Sequence, residues 1–126
     1  MKNFIVFIVF ILLNLPLFAQ IFPIPEDNEV SFDVVRKNKI IGNLNTKFIH
    51  NEKDLILHSI LDIKVKVLFF PAYKFFQETK EIWREGNFIS IDGFTDFEDD
   101  REYKIDGKDE DGFFKASGMD GYLELD

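Results

Sequence analysis

Leu55, Leu57, Leu61, Ile63, Val65, Val67 and Phe69 fall on alternate positions, and His58, Asp62, Lys64 and Lys66 fall between them. No helical stripe can be drawn through residues 62–67, whereas a strand puts every charge on one side and every aliphatic group on the other. The run to Phe70, closed by Pro71, is about 16 residues, or roughly 50 Å at strand rise. A strand of that length must bend, bulge or twist strongly. It needs neighbours that curve with it.

The flanking sequence supplies them. Val30, Phe32 and Val34 alternate with Ser31 and Asp33. After a tight turn at Lys37-Asn38-Lys39, Ile40, Gly42, Leu44, Thr46 and Phe48 carry the inward face of a second strand. Residues 51–54 turn the chain into the long strand. Beyond Pro71 a fourth strand is expected over residues 72–84, a hairpin turn at Glu85-Gly86-Asn87, and a return over 88–97. Two shorter strands are expected near 103–106 and 113–117. No segment has a helical period and none repeats another. The expected fold is all-β: an antiparallel up-and-down meander of about seven strands, forming a strongly curved sheet or partial barrel.

This β-domain is expected to occupy residues 29–126, after an extended lead-in at 20–28 that contains Pro23 and Pro25. Residues 1–19 read as a signal peptide. Lys2 gives the positive start, residues 4–13 are unbroken apolar, Asn14 and Pro16 interrupt the run, and Leu17-Phe18-Ala19 offers a cleavage site. Spanning a bilayer takes about 20 apolar residues, more than are present, so cleavage and a periplasmic or secreted location are expected. The chain has no cysteine, which removes disulfides, thiolate metal sites and a lipid anchor on cysteine. Burial by its 16 phenylalanines would have to hold the fold. The net charge of −8 argues against nucleic acid or an anionic membrane surface as partner, and no stable membrane insertion is expected after cleavage.

The fourth strand carries the candidate site. One of its faces reads Tyr73, Phe75, Gln77, Thr79, Glu81, Trp83, with aromatic ends and a polar middle. On the concave side of a curved sheet, Tyr73, Phe75, Thr79, Glu81 and Trp83 would form an aromatic-walled groove in which the polar groups orient a ligand. The plainer alternative puts Thr79 and Glu81 near solvent with Tyr73 and Trp83 capping the sheet ends. A turn at Gly86-Asn87 would set Glu81 opposite Asp92, an enzyme-like carboxylate pair that a one-residue slip removes. His50 and His58 are the only histidines and would face each other across one hairpin. The pair lacks a placed carboxylate or nucleophile. Two acidic clusters, Asp96, Glu98, Asp99, Asp100 and Asp106, Asp109, Glu110, Asp111, resemble calcium loops only in part. Gly107 and Gly118 occupy the first and last ligand positions, so solvated turns are the expected reading. No catalytic residue, metal or cofactor is expected.

Phe32-Asp33-Val34-Val35-Arg36 leading to Ile41-Gly42, the long strand over 60–67, Glu81-Ile82-Trp83-Arg84-Glu85-Gly86-Asn87-Phe88 and Thr95-Asp96 together resemble a bacterial family of exported proteins known only as a domain of unknown function. The resemblance covers residues 30–118. It implies an exported curved antiparallel sheet, similar to bacterial lipoprotein carriers and other lipid-handling folds, and no established activity. Asn38-Lys39 stands where an Asn-Gly type turn is expected. The chain also stops at Asp126 where family members continue with further strands, which predicts an exposed last edge or an incomplete chain. The expected role is binding of an apolar or amphiphilic ligand, such as a lipid or isoprenoid chain, on the concave face. The alternative is a structural or protein-interaction module of the envelope.

Overall fold

A computed structural model describes residues 23–97 and 101–125; the expected signal peptide lies outside them. Eight strands follow one another: β1 (Glu29–Arg36), β2 (Lys39–Asn51), β3 (Asp54–Val67), β4 (Phe70–Arg84), β5 (Asn87–Phe97), β6 (Glu102–Glu110), β7 (Phe113–Gly118) and β8 (Gly121–Leu125). They form one antiparallel sheet in sequence order. No helix occurs among the described residues, and β1 and β8 do not pair, so the sheet is open. The expected meander is present with one more strand than the seven expected. The eighth is β8, a strand of only five residues that follows the turn at Met119-Asp120.

Two-residue hairpin turns explain much of the connectivity. Lys37 and Asn38 both have positive φ (49° and 61°), as do Glu85 and Gly86 (49° and 82°) and Asp111 and Gly112 (57° and 83°). Positive φ at both central positions gives the turn the twist of the strands it joins. At the first turn Asn38 takes the second central position, and Lys39 opens β2 opposite Arg36.

The long strand is shorter than its alternation suggests. β3 ends at Val67, the chain reverses at Leu68 (φ 59°) and Phe69, and Pro71 lies inside β4. Val67 and Phe69 were expected on the apolar face; instead they are 57% and 94% exposed at a hairpin tip. Pro71 is tolerated because it opposes Lys66 beside a bulge, at a stretch of β4 that β5 does not reach. Register shifts at Val34/Val35, Val65/Lys66 and Ile82/Trp83 provide the bending that strands of this length require.

The sheet is a single layer. Among the described residues no hydrophobic side chain is fully buried, and only Gly93 and Gly107 are classed as buried at all. The phenylalanines therefore do not close a core, contrary to expectation. A sheet ordinarily buries its apolar face against a second layer. Here that face is half-covered by the sheet's own curvature.

Candidate functional site

Cross-strand register defines the apolar face row by row. One row runs Phe32, Leu44, Leu61, Gln77, Thr95, Tyr103, and the next Val30, Thr46, Ser59, Thr79, Gly93, Ile105. Tyr73, Phe75, Thr79, Glu81 and Trp83 all lie on this face, on alternate residues of β4. Polar groups occupy its middle. Thr46 and Ser59 share a hydrogen bond of 2.8 Å, and Gln77 Nε2 donates to Thr95 Oγ1 at 3.3 Å. The Trp83 indole N–H donates to Glu81 Oε2 at 3.0 Å, so this carboxylate is oriented by its own strand.

Aromatic clusters stand at the two ends of this polar band. At one end the Phe75 and Phe97 rings meet edge-on at 5.1 Å, and Phe97 meets Tyr103 at 5.3 Å. At the other, Trp83 lies 4.9 Å from Phe88, which stacks on Phe114 at 4.8 Å. Phe88 and Phe114 belong to β5 and β7, and they touch because Gly107 of the intervening β6 leaves room beneath them. A Cβ at Gly107 would come within 2.8 Å of Phe114.

Between the clusters is a hollow of about 370 Å³, lined on one side by Gln77, Thr79 and Thr95 and on the other by Ala116 and Leu123. β4 and β8 are four strand spacings apart, about 19 Å on a flat sheet. That both line one hollow shows that β7 and β8 curl over this face and make it concave. The shared face of the five candidate residues was readable from alternation within β4, but of the five only Thr79 lines the hollow. Gln77 was readable on the same face, whereas Thr95, Ala116 and Leu123 were not, because their convergence depends on pairing across later strands. The aromatic-ended, polar-centred pattern of β4 was the available signal.

Two expected pairings do not form. The β4–β5 turn is Glu85-Gly86 rather than Gly86-Asn87, so Arg84 pairs with Asn87. The bulge that follows in β5 recovers only part of the difference. Glu81 therefore opposes Ile91, and Asp92 opposes Lys80 on the other face. The carboxylate pair is removed by a one-residue slip. His50 pairs with Leu55 on the apolar face, whereas His58 lies on the polar face, its Nε2 2.6 Å from Glu78 Oε1. The two histidines point away from each other.

The opposite face mixes ion pairs with apolar side chains, among them Phe76 and Phe94, whose rings lie 6.5 Å apart. Glu110 is bridged by Lys108 at 2.6 Å and Lys115 at 3.4 Å. Of the acidic clusters, Glu98, Asp99 and Asp100 lie outside the described residues, and among the described residues no three His, Cys, Asp or Glu side chains group at metal-binding distance. The best-defined pair is Arg84 with Asp54, Nε to Oδ1 at 2.6 Å and Nη2 to Oδ2 at 2.9 Å, across the β3–β4 register. These hydrogen bonds, and then the guanidinium charge, hold the Asp54 carboxyl below its ordinary range. Because the folded-state pKa is the depressed one, the pair's contribution is present above the ordinary aspartate range and lost as pH falls through the folded value. An NMR titration should find Asp54 protonating after the unpaired carboxylates, and Arg84→Met should return it among them. Asp54 titrating with the unpaired carboxylates in the unsubstituted chain would refute the pairing.

A family profile described as a domain of unknown function (DUF6134) matches residues 32–125, and the chain belongs to that family. No curated protein and no solved structure matches it.

Proposed function

We propose that this member of the DUF6134 family is an exported binding protein whose concave face takes an apolar or amphiphilic ligand, such as a lipid or isoprenoid chain. The observation that carries the reading is the polar band of Gln77, Thr79 and Thr95 set between two aromatic clusters on a face with no fully buried hydrophobic group. Apolar surface left half-covered favours an apolar occupant by roughly 25 cal/mol per Å² removed from water. The polar band gives that occupant an orientation. The hollow's volume, about 370 Å³, falls at the lower end of ligand pockets, about 300–1,000 Å³. Lys2 and the apolar run of residues 4–13 support export to the periplasm or the exterior.

Native mass spectrometry of the protein recovered from its compartment should show a bound lipid mass. Ala116→Phe, which fills the hollow from the β7 side, should abolish it while leaving the far-ultraviolet spectrum of the sheet intact. Protein that carries no ligand under these conditions, or retains it equally in the variant, would overturn the reading.

A second reading rests on a different observation. Among the described residues β8 is an edge strand whose five residues are all exposed, and an edge of this kind can accept a partner strand. A stoichiometric protein adduct in the same spectra, with no lipid mass, would favour this envelope-module reading instead.

A further inference from the structure

At one end of the β3–β4 hairpin the pairing with both neighbours stops while its own pairing continues. β2 pairs with β3 only as far as Ile63, and β5 pairs with β4 only from Phe75. Residues 64–74 therefore form a two-stranded arm that no other strand among the described residues flanks. Four residues of strand beyond the last flanking pair span about 13 Å. The tip is apolar and open: Val67, Leu68, Phe69 and Phe70 are 57%, 85%, 94% and 73% exposed, and Pro71 follows. It is the longest consecutive run of exposed large apolar side chains among the described residues.

Its charge is equally distinct. Residues 63–77 contain Lys64, Lys66 and Lys74 and no Asp or Glu, in a chain that has 23 acidic residues. Lys64 and Lys74 reach back to Asp62 and Asp96 at the base of the arm. Lys66, nearest the tip, makes no ion pair among the described residues.

We propose that this arm docks the protein on an anionic bilayer, with Leu68, Phe69 and Phe70 entering the headgroup boundary and Lys64, Lys66 and Lys74 forming a basic collar at the lipid phosphates. Two arguments select a bilayer, and the charge of the arm answers an objection. Aromatic and aliphatic tips with lysines behind them match the interface, where apolar groups insert by about 5–10 Å and lysine stems extend to the headgroups. Protein interfaces, by contrast, are depleted in lysine. The net charge of −8 would repel the whole chain from an anionic surface. However, residues 63–77 carry three lysines and no carboxylate, so the arm presents positive charge to the surface ahead of the acidic sheet, whose repulsion is screened at physiological salt. The contact is reversible and peripheral, and it does not depend on whether the concave face holds a ligand.

The absence of cysteine permits a clean test. The full chain carrying Ala72→Cys, labelled with a polarity-sensitive nitrobenzoxadiazole dye, is mixed with vesicles of equal parts phosphatidylglycerol and phosphatidylcholine. Emission should rise severalfold and shift to the blue. A label at Lys53→Cys, on the β2–β3 turn at the opposite end of the sheet, should not respond. Residues preceding β1 enter the sheet at that opposite end, so their adsorption to vesicles would move the Lys53 label rather than the arm. Lys64→Ala with Lys66→Ala should weaken partitioning roughly 25-fold, about fivefold for each lysine near an anionic surface. Phe69→Ser with Phe70→Ser should abolish the response. An unchanged signal at Ala72→Cys would overturn the proposal, as would an equal response at Lys53→Cys. So would a blue shift that appears without vesicles and grows with protein concentration, which would assign the tip to a second copy.

Discussion

Gly42→Ala should destabilise the sheet by about 2–3 kcal/mol, at the upper end of what overpacking costs. Gly42→Val should cost little more, because the first added carbon already creates the conflict. A Cβ built on Gly42 would collide with the Asp62 carbonyl oxygen and stand 2.9 Å from the Ile63 Cα. Both are backbone atoms of β3, at the last pair of the β2–β3 ladder but held on the other side by β4, and neither can rotate aside. The closeness comes from the bulge beside it. Val34 pairs with Gly42 but Val35 pairs with Ile40, so Ile41 is the extra residue and β2 bends sharply onto β3. Replacing a strand glycine ordinarily recovers about 0.5–1 kcal/mol of conformational cost, which is too small to offset a backbone clash. Gly118 provides the control, since its nearest neighbour to a new Cβ is the Lys104 oxygen at 3.9 Å. Gly118→Ala should change stability by less than about 0.5 kcal/mol. Urea unfolding followed by far-ultraviolet circular dichroism measures both. A Gly42→Ala protein as stable as the unsubstituted chain would show that β2 and β3 are not this close.

The contrast between these glycines shows how far alternation can be read. Period two assigned Leu55, Leu57, Leu61, Ile63 and Val65 to one face and His58, Asp62 and Lys64 to the other, and the structure keeps that division. It also put the five candidate residues of β4 on one face. Alternation cannot count bulges, because an extra residue leaves no compositional mark. The register of Glu81 against Ile91 rather than Asp92 depended on a turn displaced by one position and an extra residue, Ile89, in β5. The hairpin at Leu68 was hidden for a related reason. Val67, Leu68, Phe69 and Phe70 are all apolar, so the end of alternation there looked like continued burial. The cue that turning begins was Pro71, which cannot donate to a ladder, and it stands three residues past the turn's first residue. Curvature was legible only as a necessity of strand length. Which residues it gathers around the hollow depended on β7 and β8, the shortest strands and the weakest signals.

Gly107→Ala should cost about 1–2 kcal/mol in the unsubstituted chain and should become neutral or stabilising in a Phe114→Ala background. A Cβ at Gly107 would lie 2.8 Å from Phe114 Cε1, 2.9 Å from its Cζ and 3.1 Å from Ile91 Cγ2. Unlike the neighbours of Gly42, these are side-chain atoms. The aromatic ring can swing away, but doing so breaks its 4.8 Å stack on Phe88. Aromatic pairs contribute about 0.5–1.5 kcal/mol beyond the area they cover, and the displaced ring also loses contact area. Phe114 is only half-buried, so Phe114→Ala should cost about 2 kcal/mol, less than the roughly 3–5 kcal/mol of a fully buried ring. Once the ring is gone, the principal clash at Gly107 is gone with it. The remaining effect of alanine is then the recovered conformational cost of glycine, about 0.5–1 kcal/mol in the stabilising direction, against one close methyl of Ile91. The double-mutant cycle should therefore show a coupling of at least about 1 kcal/mol. Trp83, the single tryptophan, lies 4.9 Å from Phe88, so its fluorescence reports the loosened stack in the same unfolding experiment. Additive costs, with no change of sign in the Phe114→Ala background, would mean that Phe114 does not lie over Gly107. The curl of β7 toward the concave face would then lack its support, because that curl is what brings Phe114 across β6 to Phe88.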